Sequence, residues 1–141
     1  MYALEVRDHI MIAHAFKGEF FGPAQRLHGA TFVVDVRFYR ETLNEYNVVV
    51  DIGRAHDALK AALAPINYRN LDEVERFTGQ QTTTEFLSHY IYQCMAEAAR
   101  TGELGPGGEA ICKIRVTLHE SHIARAFYEG PVQIDQVLRT G

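Results

Sequence analysis

The sequence predicts an α+β domain: a four-stranded antiparallel sheet built in the order ββααββ, with two helices on one face. Three observations carry that prediction. Two ladders of alternating apolar and polar residues open the chain. Two stretches with apolar residues at steps of three and four follow, and a second alternating pair closes it.

In the first ladder Leu4, Val6, Ile10, Ile12 and Phe16 share one parity and Glu5, Arg7 and His9 the other, the period of a half-buried strand. Asp8 interrupts the apolar side, which predicts a bulge or local twist. Lys17 to Pro23, with two glycines and a proline, reads as a loop. The second ladder sets Phe32, Val34, Val36 and Phe38 against Asp35, Arg37 and Tyr39, so the pair reads as a hairpin with a long connection. Asn44 to Asn47 is turn-like, and Asp51 is placed to cap a helix whose stripe is Ile52, Ala55, Leu59, Ala62 and Leu63. Pro65 ends that helix, and Asn67 to Gln81 has no period and reads as a surface loop.

Thr82-Thr83-Thr84-Glu85 fits a capping box, after which Phe86, Tyr90, Ile91, Cys94, Met95 and Ala98 form the buried stripe of a second helix. Gly102 to Gly108 is a glycine-rich connection without the Lys-Ser/Thr of a phosphate loop. Cys112, Ile114, Val116 and Leu118 face inward on the third strand, and Ile123 to Tyr128 makes the fourth. Four strands leave two open edges, which predicts self-association.

With 141 residues the chain is read as one domain over residues 1–141. Its balance of 47% hydrophobic and 23% charged residues is that of a folded globular protein. The net charge of −4, with no basic cluster, argues against nucleic acid as a partner. No apolar run has the length of a membrane span, and Met1-Tyr2-Ala3-Leu4-Glu5 lacks the pattern of a signal peptide. Two unpatterned cysteines, Cys94 and Cys112, read as packing thiols and suit a reducing cytoplasm.

Parity yields the functional candidates. His14 continues the face of Ile10 and Ile12, His28 precedes Phe32 and Val34 in phase, and Glu120 follows Leu118 in phase. A carboxylate on a buried face needs a partner. His119, opposite in phase, reads as solvated.

These residues lie in an ordered set of motifs: Ile12-Ala13-His14, Arg26-Leu27-His28-Gly29, Val50-Asp51, Asn70-Leu71-Asp72, Thr83-Thr84-Glu85 and Leu118-His119-Glu120-Ser121. In order and spacing the set resembles the 6-pyruvoyl-tetrahydropterin synthase and 6-carboxy-tetrahydropterin synthase family. That resemblance implies the tunnelling fold, assembled as an oligomeric barrel in hexamers of stacked trimers with sites between subunits. It implies a lyase that acts on the C6 side chain of dihydroneopterin triphosphate or a related pterin, with zinc held at the positions of His14 and His28. Glu120 would receive the amino-pyrimidinone edge of the pterin, and Thr83 and Thr84 would line the substrate site.

Three departures accompany it. The family's third zinc-binding His is Ala30, its proton-transferring Cys is Ala24, and its central Asp-His pair is Asn67-Tyr68. Zinc catalysis ordinarily takes three protein ligands, so His122 and Glu19 become candidate replacements and Tyr68 a candidate acid. The alternative is a catalytically silent pterin-binding or oligomeric scaffold member of the same fold.

Overall fold

A computed structural model describes residues 1–133; the end of the predicted domain beyond them lies outside the described residues. Strands β1 (Tyr2–His14) and β2 (His28–Arg40) are followed by helix α1 (Ile52–Leu63) and the short strand β3 (Arg69–Asn70). Helix α2 (Thr84–Arg100) leads into β4 (Lys113–His119) and β5 (Arg125–Pro131). The predicted ββααββ order is therefore present with one addition. The sheet has five strands in the order β3-β1-β2-β4-β5 and is mixed, because β3 runs parallel to β1 while the other pairs are antiparallel.

The addition comes from side-chain chemistry that carries no period. Asn67 Oδ1 accepts the Met11 N–H at 3.1 Å and Tyr68 N–H donates to the Met11 carbonyl at 2.7 Å, fastening the segment to the edge of β1. The expected surface loop of residues 67–81 also folds into two 3-10 turns that bury Leu71 and Phe77. The expected bulge at Asp8 does not form. β1 and β2 pair in unbroken register from Tyr2↔Arg40 to His14↔His28, and Asp8 turns its carboxylate to the His9 N–H at 2.8 Å.

The buried apolar rungs of the three long strands are all even-numbered: Val6, Ile10 and Ile12, then Phe32, Val34, Val36 and Phe38, then Ile114, Val116 and Leu118. Period-two geometry therefore puts them on the one face that both helices cover. Asp51 caps α1, accepting the Arg54 N–H at 2.9 Å, and Ala55, Ala58, Leu59 and Leu63 face the sheet. Ile52, expected in that stripe, is 63% exposed.

Helix α2 starts one residue later than a Thr82 cap requires. Thr83 is the cap, its hydroxyl accepting the Phe86 N–H at 3.1 Å, because the Thr82 hydroxyl is engaged by His14. Its buried face is also rotated from the expected stripe: Leu87, Ser88, Ile91, Met95, Ala98 and Ala99 point inward. Phe86 and Tyr90 pack instead edge-on against Phe77 of the preceding turn. Thr83→Ala should lower unfolding stability by about 1 kcal/mol. Urea denaturation checks this, with Thr83→Ser expected to restore most of the loss.

The other face of the sheet is a charged layer. Asp35, only 5% exposed, accepts Arg7 Nε at 2.6 Å and Nη2 at 2.9 Å and lies 2.8 Å from His119 Nε2. The Arg7 hydrogen bonds hold the Asp35 carboxyl below its usual range against the upward push of burial, with His119 assisting. His119 is thus paired, not free in solvent, because β2 and β4 are neighbours and place it diagonally from Asp35.

Candidate functional site

The full-length pairing of β1 with β2 closes on His14 opposite His28, and their ring centroids lie 4.6 Å apart. Residues 28 positions from the start and 14 positions from the start meet because the hairpin register is fixed by the apolar ladders. Phe16 packs against both rings, with centroids 4.5 Å from His14 and 5.6 Å from His28. His14 is 3% exposed, with Nδ1 3.1 Å from Thr82 Oγ1. His28 Nδ1 lies 2.8 Å from the Arg26 carbonyl, which only accepts, so Nδ1 carries a hydrogen and the neutral ring has its lone pair on Nε2.

Burial first, and then the neighbouring His28, push the His14 pKa below its ordinary 6.5; Thr82 and Asp72 oppose the shift. The native imidazole is therefore neutral at pH 7. A lowered pKa means that the unfolded chain binds the proton more readily than the folded one. The stabilisation is complete above about pH 6.5 and is lost progressively as the pH falls below that value. His14→Gln should flatten the unfolding free energy between about pH 6.5 and 5, measured by urea titration at each pH.

Glu120 is tied to the start of α2. Thr84 Oγ1 donates to Glu120 Oε2 at 3.4 Å, while Thr82, two residues earlier, meets His14. The residues at the start of α2 thus contact both the His14 imidazole and the Glu120 carboxylate, and the acid lies at the positive end of the helix. Glu120 is not on a buried rung. β4 ends at His119, and the Glu120 N–H turns to the Ala124 carbonyl at 3.1 Å, which carries the carboxylate out to an exposed position. Thr83, the helix cap, has its hydroxyl committed to Phe86 N–H.

The remaining candidates stand apart. His122 is exposed in the β4–β5 turn and Glu19 is exposed in the 3-10 segment Glu19–Gln25. Among the described residues no three His, Cys, Asp or Glu side chains gather as a metal-binding group. Nearest the pair are two imidazoles, both packed against Phe16 and one of them bonded to Thr82; the nearby Asp72 carboxylate accepts the Ala15 N–H, and an alanine, Ala30, stands on the next rung from His28. This set does not fit a three-ligand zinc centre.

Tyr68 sits at the sheet edge beside β1, 75% exposed, with a left-handed φ of 61°. A bulky residue held there is strained, which is a cost of order 1 kcal/mol and a feature that recurs at functional positions. Parity already set Phe16 in phase with His14, but its cover of both rings follows only from the β1–β2 register; Thr82 as the hydrogen-bond partner had no local signal, since its contact with His14 spans 68 residues. Cys94 behaves as expected of a packing thiol, since burial raises its pKa.

Paired imidazoles stand at a strand end and a carboxylate is bonded to a helix start, on a five-stranded α+β sheet backed by two helices. The sequence profile described as 6-pyruvoyl tetrahydropterin synthase matches residues 3–131, and the chain belongs to that family. Solved structures agree on the fold, which is the tunnelling fold. The 6-pyruvoyl tetrahydropterin synthase of Caenorhabditis elegans superposes with a TM-score of 0.76 at 22% identity, covering 92% of this chain and 95% of that one. The synthase of Plasmodium vivax gives 0.70 at 15% identity, covering 93% and 99%. That of Plasmodium falciparum gives 0.69 at 15% identity, covering 92% and 98%. No curated protein matches the chain.

Proposed function

We propose that the chain is a lyase of the 6-pyruvoyl/6-carboxy-tetrahydropterin synthase type, which binds a reduced pterin and acts on its C6 side chain. The single observation that carries this reading is the pair of threonine contacts at the start of α2, Thr82 to His14 and Thr84 to Glu120. They tie an imidazole pair and an exposed carboxylate to one helix turn.

In this reading Glu120 receives two N–H groups of the amino-pyrimidinone edge, the charge-assisted pairing a carboxylate makes best. The C6 side chain then extends toward His28. Its Nε2 lone pair is oriented by the Nδ1 bond to Arg26 and takes a proton from the side chain as general base. The neutral, buried His14 supplies a further nitrogen without an opposing charge. Tyr68 projects from the open β1–β3 edge, where a second copy in the family's oligomeric assembly would receive it as the acid of a neighbouring site. The chain's own imidazoles and hydroxyls run the proposed step, since the donor set does not suit zinc.

The test is turnover of dihydroneopterin triphosphate by purified protein, followed by the change in pterin fluorescence. Activity is expected in the wild type, to fall at least about a hundredfold in His28→Ala, and to fall in Tyr68→Phe with the substrate affinity kept. A second reading, a pterin-binding protein without catalysis, is favoured by Ala24 and Ala30. It predicts Glu120-dependent binding and no turnover in any assembly state, and that result would replace the lyase reading.

A further inference from the structure

The turn between β1 and β2 presents Phe20 to solvent beside the imidazole pair. At 93% exposure Phe20 is the most exposed large hydrophobic residue among the described residues. It is not an isolated surface ring. Phe20 meets Phe21 edge-on with centroids 5.2 Å apart, Phe21 lies 4.8 Å from Phe16, and Phe16 packs on both His14 and His28. A file of aromatic rings thus runs from solvent to the imidazoles, and its outer end is bare.

The backbone that carries this end is jointed. At the base, Phe16 N–H donates to the Ala24 carbonyl at 3.0 Å, and Lys17 exchanges two hydrogen bonds with the Gln81 side chain at 3.1 and 2.6 Å. Beyond the base, among the described residues, the hydrogen bonds of residues 18–22 stay inside the turn. Phe21 N–H donates to the Gly18 carbonyl at 3.1 Å and Gln25 Nε2 to the Gly22 carbonyl at 3.0 Å. Gly18 and Gly22 bracket the two phenylalanines with φ of 116° and 53°. A Cβ at either position would meet nothing within 4 Å among the described residues. Space therefore does not require glycine there; the backbone conformation does. A segment pinned at its base, bonded only to itself at its tip and bracketed by glycines is built to swing.

We propose that Phe20 is a ligand-contact residue, carried on this turn, that closes over the C6 end of a flat heterocycle held between Glu120 and His28. The assignment rests on the pterin reading and adds the cover that reading leaves open. A carboxylate that takes a heterocycle by its edge leaves both faces bare, and an aromatic side chain stacks well on such a face. Closure would bury Phe20 and keep water from the side-chain atoms beside His28.

Chymotrypsin, which cuts after exposed aromatic residues, reads the closure in the full, unaltered chain. Saturating dihydroneopterin should slow cleavage after Phe20 about fivefold or more, since cleavage follows the population of the open turn. Cleavage after Tyr46, 76% exposed in the β2–α1 connection, should not change. In fluorescence titration Phe20→Ala should weaken dihydroneopterin binding by about tenfold, and Phe20→Tyr, which keeps the ring, should stay within about twofold of the wild type. Both variants alter an exposed side chain, so folding is expected to be unaffected. A wild type that does not bind dihydroneopterin ends the pterin reading and this assignment with it. Binding that leaves Phe20 unprotected, protects Tyr46 equally, or is unchanged in Phe20→Ala overturns this assignment and leaves the pterin reading standing. Protection of Phe20 that rises with protein concentration in the absence of pterin would give the ring to a contact between copies and likewise overturn it.

Discussion

Glu120→Gln is expected to weaken dihydropterin binding by about a hundredfold or more. Two charge-assisted hydrogen bonds to one carboxylate are each worth on the order of 1.5–3 kcal/mol. The amide replaces one acceptor oxygen by a donor facing a ring N–H. The substitution should leave stability nearly unchanged, since Glu120 is exposed and, among the described residues, its side chain's one hydrogen bond is the 3.4 Å contact from Thr84. Fluorescence titration with a dihydropterin reads the affinity and urea denaturation reads the stability. Equal affinity in the two proteins would remove Glu120 from the site and with it the pterin reading.

Phe38→Ala is expected to cost about 3–5 kcal/mol of folding stability, enough to consume much of the margin of an ordinary domain. Phe38 is fully buried on the central strand β2, between Leu4 of β1 and Ile114 of β4. Both helices cover the face it occupies, so surrounding backbone has little freedom to collapse into the space left behind. Phe38→Leu should recover more than half of the loss. The midpoint of urea denaturation decides the matter, and a shift of less than 1 kcal/mol would mean that the core repacks around the vacancy.

The long elements were legible because their periods are long. Seven-residue and longer ladders repeat the same parity often enough that one polar residue, such as Asp8, does not disturb the register. Strand β3 was not legible: two residues have no period, and the hydrogen bonds that make it come from Asn67, Tyr68 and Met11, far apart in sequence. The rotation of α2 has a similar cause. Phe86 and Tyr90 are apolar at helical spacing, yet their partner is Phe77 in a turn that no sequence pattern announces. Ser88, polar by composition, is buried with its hydroxyl bonded back to the Glu85 carbonyl.

At the site, parity put His14 and His28 each in phase with the apolar face of its own strand, and the register makes them direct cross-strand partners. It misplaced Glu120, because phase counting assumes that a strand continues and here it ends one residue earlier. Thr82 looked like a helix cap from sequence alone. Its role as a partner of His14 depends on a contact spanning 68 residues, which local pattern cannot contain.

The threonine run at the mouth of α2 has a thermodynamic corollary. Frayed helix ends open far more often than helix centres, and in the proposed pterin reading both halves of the site hang from the same opening unit. Loss of that first turn would then release the carboxylate from the imidazole pair while the sheet beneath stayed intact. Warming should therefore silence ligand capture several degrees before the global melt, and amide protons of residues 84–87 should trade with deuterium faster until a ligand clamps the turn shut.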